Sequence, residues 1–343
     1  MALSSCEKDN DNPGGPSTTS GGTYIVNEGA FGNSNATISF LNNGSEDLLN
    51  DHFSDINSYP LGDVAQSMHI HGERGYIVVN NSQKVEVVNR NNCTSIATIT
   101  GFSGPRYLVA IGSKGYVSDW FDNNVKIIDL GTNSISGSIP TGSGPEQMVL
   151  IDSLLFVANV GGWGNDSTVT VINTNTDAVI SSIAVGLNPN SMAVDNNGIL
   201  YVLCGGSTGP DFTGGTADDI AGSIWQVDPV QLVVTDSQIL QQADHPTRLN
   251  HDQNNGRMYL LLGIDGYNGA IRYFTTGQLP VSLNTFDQRS FYGLGVEPSS
   301  SMIYAGLAPG FTQKGYVFRF DQNGSLIDSM KAGIAPNGFA FSQ

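Results

Sequence analysis

The sequence predicts an all-β fold, a seven-bladed β-propeller closed by pairing its C-terminal strand with its N-terminal strands. Three observations point there: a Gly-rich, charge-poor composition, two residue columns that each recur seven times, and a repeat spacing near 40 to 45 residues. With 42 Gly and only 13% charged residues in 343, the chain suits many short strands joined by tight turns and argues against long helices. Length alone would admit two domains, but closed all-β folds commonly run this long as one unit.

The first column is a strand ending in a turn-forming residue: Ile38-Ser-Phe-Leu-Asn42, Val85-Glu-Val-Val-Asn89, Val125-Lys-Ile-Ile-Asp129, Val169-Thr-Val-Ile-Asn173, Ile224-Trp-Gln-Val-Asp228, Ile271-Arg-Tyr-Phe-Thr275 and Val317-Phe-Arg-Phe-Asp321. An Asn or Asp there bonds backbone two residues on and starts the next turn, so these acids are structural. The second column is an aromatic near the start of an apolar strand, at Tyr24, Tyr76, Tyr116, Phe156, Tyr201, Tyr259 and Tyr304. A third, a Pro or its substitute three residues before an apolar residue, falls at Ala65, Pro105, Pro145, Pro189, Pro246, Phe291 and Pro336, with successive intervals of 40, 40, 44, 57, 45 and 45.

Such a period, with about four short strands per unit, marks a propeller blade, because a lone four-stranded sheet must bury both faces against neighbours. With strands a to d numbered outward from the axis, the Pro column precedes a, the aromatic column lies in b and the Asx column ends c. The chain then begins at strand b and ends, at Pro336-Asn-Gly-Phe-Ala-Phe-Ser-Gln343, with an unpartnered strand a. The last blade must combine the two termini, which hides the open edges of the ring. The expected division is 1–22 as lipoprotein signal remnant and flexible tether, and 23–343 as the propeller.

At the N-terminus, Leu3-Ser4-Ser5-Cys6 has the small residues that precede a lipidated Cys, without the usual apolar stretch upstream. The plainer alternative is an ordinary Cys in a tail. Formal charge is −17, from 31 Asp plus Glu against 14 Lys plus Arg, which argues against a nucleic-acid partner and leaves a lipid anchor as the route to a membrane. Cys93 and Cys204 are too few for a disulfide framework and read as free and structural.

Function belongs to the face where the b-to-c loops and the d-to-a connections emerge. The b-to-c loops carry Phe31, Trp120, Phe121, Trp163, Phe212, Tyr267 and Phe311. Just after the Pro column, beside the channel on that face, stand Gln66, Arg106, Glu146, Gln147, Asn190, Arg248, Tyr292 and Asn337. An apolar wall with a few convergent polar groups is what a sizeable organic ligand requires. The alternative is that the aromatics fold down over their own loops and the polar residues bond between blades.

Enzyme signals are thin, and no catalytic, metal or cofactor residue is expected. Gly205-Gly-Ser-Thr-Gly209 matches a hydrolase elbow in letters only, because that motif needs a strand-to-helix turn and this one opens a long loop, residues 205 to 221, that leads into strand c. His69 and His71 share one strand face, but two His make no metal site without further ligands. The runs at Asp195, Asp252 and Asp321 read as hairpin turns instead of calcium loops. An enzyme reading would need acids such as Glu28, Asp119 and Glu146 to converge at the channel mouth with a metal.

Taken with the lipobox, the acidic stretch Glu7-Lys-Asp-Asn-Asp11 and the Gly/Pro/Ser tether of residues 12 to 22, repeats such as Ile183-Ala-Val-Gly-Leu-Asn-Pro-Asn-Ser-Met-Ala-Val194 resemble YncE-like propellers of the Bacteroidetes surface-layer type. Within that group the chain is similar to the cobalamin-capturing lipoproteins of the BtuG type. The resemblance implies an outer-membrane lipoprotein at the cell surface, a monomer that holds vitamin B12 or another corrinoid on one face and passes it to a TonB-dependent transporter. A surface glycan would stack on the same aromatic rings. A propeller enzyme of lactonase or lyase type and a protein-binding scaffold remain the alternatives.

Overall fold

A computed structural model describes residues 21–210, 214–264 and 267–342. Seven four-stranded antiparallel sheets surround an axis as the blades of a propeller. Blades 1 to 6 follow the chain, with inner strands at Ala65–His71, Pro105–Ile111, Pro145–Ile151, Pro189–Val194, His245–Asp252 and Gly293–Val296. Blade 7 pairs the inner strand Pro336–Ser342 with Gly22–Asn27, with Tyr24 opposite Ala340. The predicted closure is therefore the observed one.

Second strands such as Arg74–Val79 and Leu154–Asn159 are buried along most of their length on both faces, as the doubly apolar strands require. Their side chains interlock with the next blade, so that Tyr76 and Val78 of blade 1 share a core with Leu108, Val117 and Ile128 of blade 2. The aromatic column adds a polar stitch. Tyr24 Oη donates to the Arg90 carbonyl (2.7 Å), Tyr116 Oη to Asp177 (2.6 Å) and Tyr201 Oη to the Gly277 carbonyl (2.9 Å), each in the outer turn of the following blade. A tyrosine suits this place because its ring fills the core while its hydroxyl finds a partner beyond it.

The Asx column behaves as expected: Asp129 Oδ1 accepts from the N–H groups of Gly131 and Thr132, both at 2.8 Å. Asp195 and Asp321 accept from the backbone of their own turns in the same way. Cys93 and Cys204 are free and buried, and burial pushes both thiols up to about 12.

Two details depart from the expectation. Phe291 ends the outer strand Asn284–Phe291 of blade 5, and the inner strand of blade 6 opens two residues later, because Phe291 pairs with Gly269 in its own blade. In blade 7 the outer strand is only Leu48–Leu49, after which the chain turns into a short helix, His52–Asn57, whose Phe53 enters the core with Tyr24, Ile38 and Phe40. Two adjacent buried residues, Phe53 and His52, the latter stacked on Phe40, carry that helix, and no longer apolar period signals it.

Candidate functional site at the channel mouth

The channel mouth is built by a repeated backbone irregularity. In blade 1, Ala65 pairs with Val79 and Ser67 with Val78, so Gln66 is an extra residue in the inner strand. The same one-residue excess falls at Arg106–Tyr107, Glu146–Gln147, Asn190, Arg248–Leu249 and Asn337. A bulge breaks strand alternation and re-aims side chains locally. Six blades thus present their polar residues at one height, and blade 6 supplies Tyr292 from the residue before its inner strand.

These residues bind one another. Arg106 makes a two-pronged contact with Glu146, Nε to Oε2 and Nη2 to Oε1, both 2.8 Å, and its guanidinium lies 5.3 Å from the Trp120 ring centre. Burial works against the charge of Arg106, but the Glu146 carboxylate outweighs it and holds the guanidinium above the ordinary arginine range. Arg248, held at a left-handed φ of 60°, donates from Nη1 to Tyr107 Oη (3.0 Å) and lies 5.7 Å from the centre of the Tyr292 ring. Tyr292 Oη donates to Glu28 Oε2 (2.8 Å), and Asn337 Nδ2 donates to the other Glu28 oxygen. Burial raises the Glu28 carboxyl, opposed by Arg248 and by the Tyr292 hydroxyl. Gln147 accepts from the Met192 N–H, Asn190 donates to the Pro246 carbonyl (2.9 Å), and Asn337 Nδ2 also reaches the Gln66 carbonyl (3.1 Å).

The aromatics stand on the loops between second and third strands around this network. Trp120, Phe121 and Trp163 are mutual neighbours, with ring centres 5.5 to 6.5 Å apart. Trp163 is 88% exposed and Phe31 76%, while Tyr267 and Phe311 are also exposed. Phe311 packs edge-on against Tyr292 at 5.2 Å, linking the aromatics to the channel network. Phe121 does fold over its own neighbourhood: a Cβ on Gly104 would stand 2.6 Å from its ring. Phe212 and Cys6 lie outside the described residues.

The enzyme-like features resolve differently. The Asp119 carboxylate accepts from the N–H groups of Ser103 (2.9 Å) and Gly104 (2.6 Å) and so shapes a loop. Ser207 pairs with Ile220 in an antiparallel bridge that ties the long loop of blade 4 together, so no strand-to-helix turn follows it. That loop is fixed further by His245, whose ring nitrogens meet the Gly205 carbonyl (2.8 Å) and Asp219 (3.2 Å). A separate cleft of about 420 Å³ opens between blades 6 and 7, beside the shortened outer strand, and Phe53, Leu61, Asp51 and Lys314 line it.

Two participants escaped the sequence reading. Tyr107 follows Arg106 and, by strict alternation, should face away from it. Glu28 carries no sequence signal beyond that of an acid an enzyme reading would send to the channel mouth. The bulge brings Tyr107 back toward the channel, and the closure of the ring delivers Glu28 opposite Tyr292.

The fold and this face define a seven-bladed β-propeller with a self-paired polar mouth and an aromatic rim. A family model described as a domain of unknown function, DUF5074, matches residues 21–333, and the chain belongs to that family. Similar solved structures include a periplasmic gluconolactonase of Pseudomonas aeruginosa (12% identity, 94% of this chain and 99% of that one, TM-score 0.69). A protein of Bacteroides fragilis described as a candidate 6-phosphogluconolactonase is 13% identical over 97% of this chain and 100% of that one, with a TM-score of 0.68. A quinonprotein alcohol dehydrogenase-like protein of Bacteroides thetaiotaomicron is 12% identical over 94% and 78%, with a TM-score of 0.69. At these identities the likeness shows the fold alone. A search of curated proteins finds no match.

Proposed function

We propose that this chain is a non-enzymatic surface lipoprotein, anchored through Cys6, that captures a ligand on the aromatic rim of its channel mouth for nutrient uptake. The observation that carries this reading is the set of outward aromatics, with Trp163 at 88% exposure, beside a mouth in which Arg106 is paired with Glu146 and Arg248 and Glu28 are held by the hydroxyls of Tyr107 and Tyr292. Exposed large aromatics on one face favour a binding surface. A corrinoid is the leading ligand: it is broad, partly apolar and edged with amides, which suits stacking on the rim and hydrogen bonding at the channel. A TonB-dependent transporter is the corresponding partner.

Calorimetric titration with cyanocobalamin and cobinamide tests this. Binding that weakens in Trp120→Ala and Trp163→Ala supports capture, and no heat from either corrinoid removes the vitamin. The descriptions of two structural neighbours favour a second reading, lactone hydrolysis. Turnover of gluconolactone or 6-phosphogluconolactone would replace the capture reading with that one.

A further inference from the structure

We propose that the cup formed by Trp120, Phe121 and Trp163 is the ring-stacking subsite of this face and takes a flat, uncharged ring in preference to an anionic one. The inference rests on the capture reading and narrows it to a ligand chemistry. Phe121 and Trp163 are near-parallel, at 21° with centres 6.5 Å apart, and Trp120 stands across both at 57° and 62°. A spacing of 6.5 Å is short of the roughly 7 Å that a ring held between two others needs, so a planar ring stacks on the open face of Trp163 and gains offset or edge contacts with the neighbouring rings.

The loop that carries the exposed Trp163 is held in place. It is pinned by Gly161 N–H to the Ser143 carbonyl (2.8 Å), Val160 N–H to the Gly144 carbonyl (2.9 Å) and Ser143 N–H to Asp166 (2.8 Å). Gly144 has a φ of +57°, and a Cβ there would lie 2.2 Å from the Gly162 nitrogen and 2.8 Å from Trp120 Nε1. Only a glycine lets the two loops cross this closely and set the two indoles side by side. A large apolar ring carried on a fixed loop saves part of the ordering cost at the moment of binding.

Selectivity follows from charge. The cation under the cup, Arg106, is engaged by Glu146 on two nitrogens and by the Trp120 face. Lys126 is engaged by Asp122 at 2.6 Å. Asp119 and Asp166 add carboxylates in the same loops, and with Arg248 and Glu28 of the mouth three cations meet five acids on a chain of net charge −17. Beside the cup an anionic ring finds Arg106 and Lys126 already paired with carboxylates, Arg248 is turned to Tyr107 and Tyr292, and the net field repels the anion.

Riboflavin and flavin mononucleotide share one flat ring and differ by a phosphate, so quenching of their own fluorescence by the full chain at low ionic strength reads the subsite. The expected result is riboflavin binding with the mononucleotide about tenfold weaker or more. Trp163→Ala should weaken riboflavin by about tenfold, with Trp163→Phe recovering most of it. Glu146→Gln, which frees Arg106, should narrow the gap between the two flavins at least about threefold. Absence of riboflavin quenching, equal or tighter binding of the mononucleotide, or an unchanged Trp163→Ala variant would each overturn the proposal. If Glu146→Gln does not fold, the Trp163 variants and the flavin pair decide it. Riboflavin binding at Trp163 without heat from any corrinoid leaves the subsite standing and removes the vitamin. Corrinoid binding that Trp163→Ala leaves untouched does the reverse.

Discussion

Removing Glu146 and Arg106 together should destabilise the protein by clearly less than the sum of the two single removals. The two form paired 2.8 Å contacts with side-chain exposures of 21% for Arg106 and 9% for Glu146, so each is largely out of water and depends on the other. Breaking a buried pair costs about 3–5 kcal/mol because one charge is left uncompensated, while replacing both by apolar side chains is often nearly neutral. Arg106 is partly exposed, which places the Glu146→Leu cost at about 2–4 kcal/mol. Arg106→Met should cost a similar amount, including about 0.5–1 kcal/mol for the lost contact with Trp120. The double variant should recover about 2–3 kcal/mol of the summed losses as coupling. Urea denaturation of the four proteins at pH 7, followed by circular dichroism, measures this. A Glu146→Leu cost below about 1 kcal/mol, or a double variant equal to the sum of the singles, would refute a self-neutralised mouth and leave Arg106 free for an anionic ligand.

Two further predictions follow from single residues. Burial lowers His69 from 6.5 to about 4, with His71 adding to the effect, so its native form is neutral. Stability should be full above pH 6.5 and fall by up to about 1.4 kcal/mol for each pH unit between 6.5 and 4, because the unfolded chain takes up the proton first. His69→Asn should flatten that part of the stability–pH curve, and an unchanged slope would assign the acid sensitivity to other groups. Gly144→Ala must accommodate a methyl group 2.2 Å from the Gly162 nitrogen at a φ of +57°, so it should lower stability by more than about 1 kcal/mol and weaken ring binding together, measured by thermal unfolding and flavin quenching.

Much of the architecture was legible because it depends on local periodicity. The Asx column could be read as turns, since each side chain bonds the backbone two or three residues on, as Asp129 does with Gly131 and Thr132. The aromatic column could be read as core, although nothing in the spacing showed that Tyr24 and Tyr116 also tie one blade to the next. The short outer strand and the helix at His52–Asn57 were not legible, because two adjacent anchoring residues, His52 and Phe53, do not make a period.

For the candidate site, the sequence placed Gln66, Arg106, Glu146, Asn190 and Asn337 at one height on one face, because each directly follows its Pro-column residue, while Arg248 stands one residue later. By itself it determined blade number, strand order and ring closure, since each follows from repeats and from a terminal strand that must find a partner. Only the tertiary structure decided which polar groups meet: Arg106 with Glu146 across a blade boundary, Arg248 with Tyr107 across 141 residues, and Glu28 with Tyr292 across the closure. Those choices depend on bulges that break the two-residue alternation and on the curvature that brings distant blades to one axis, and neither quantity is written in any single repeat.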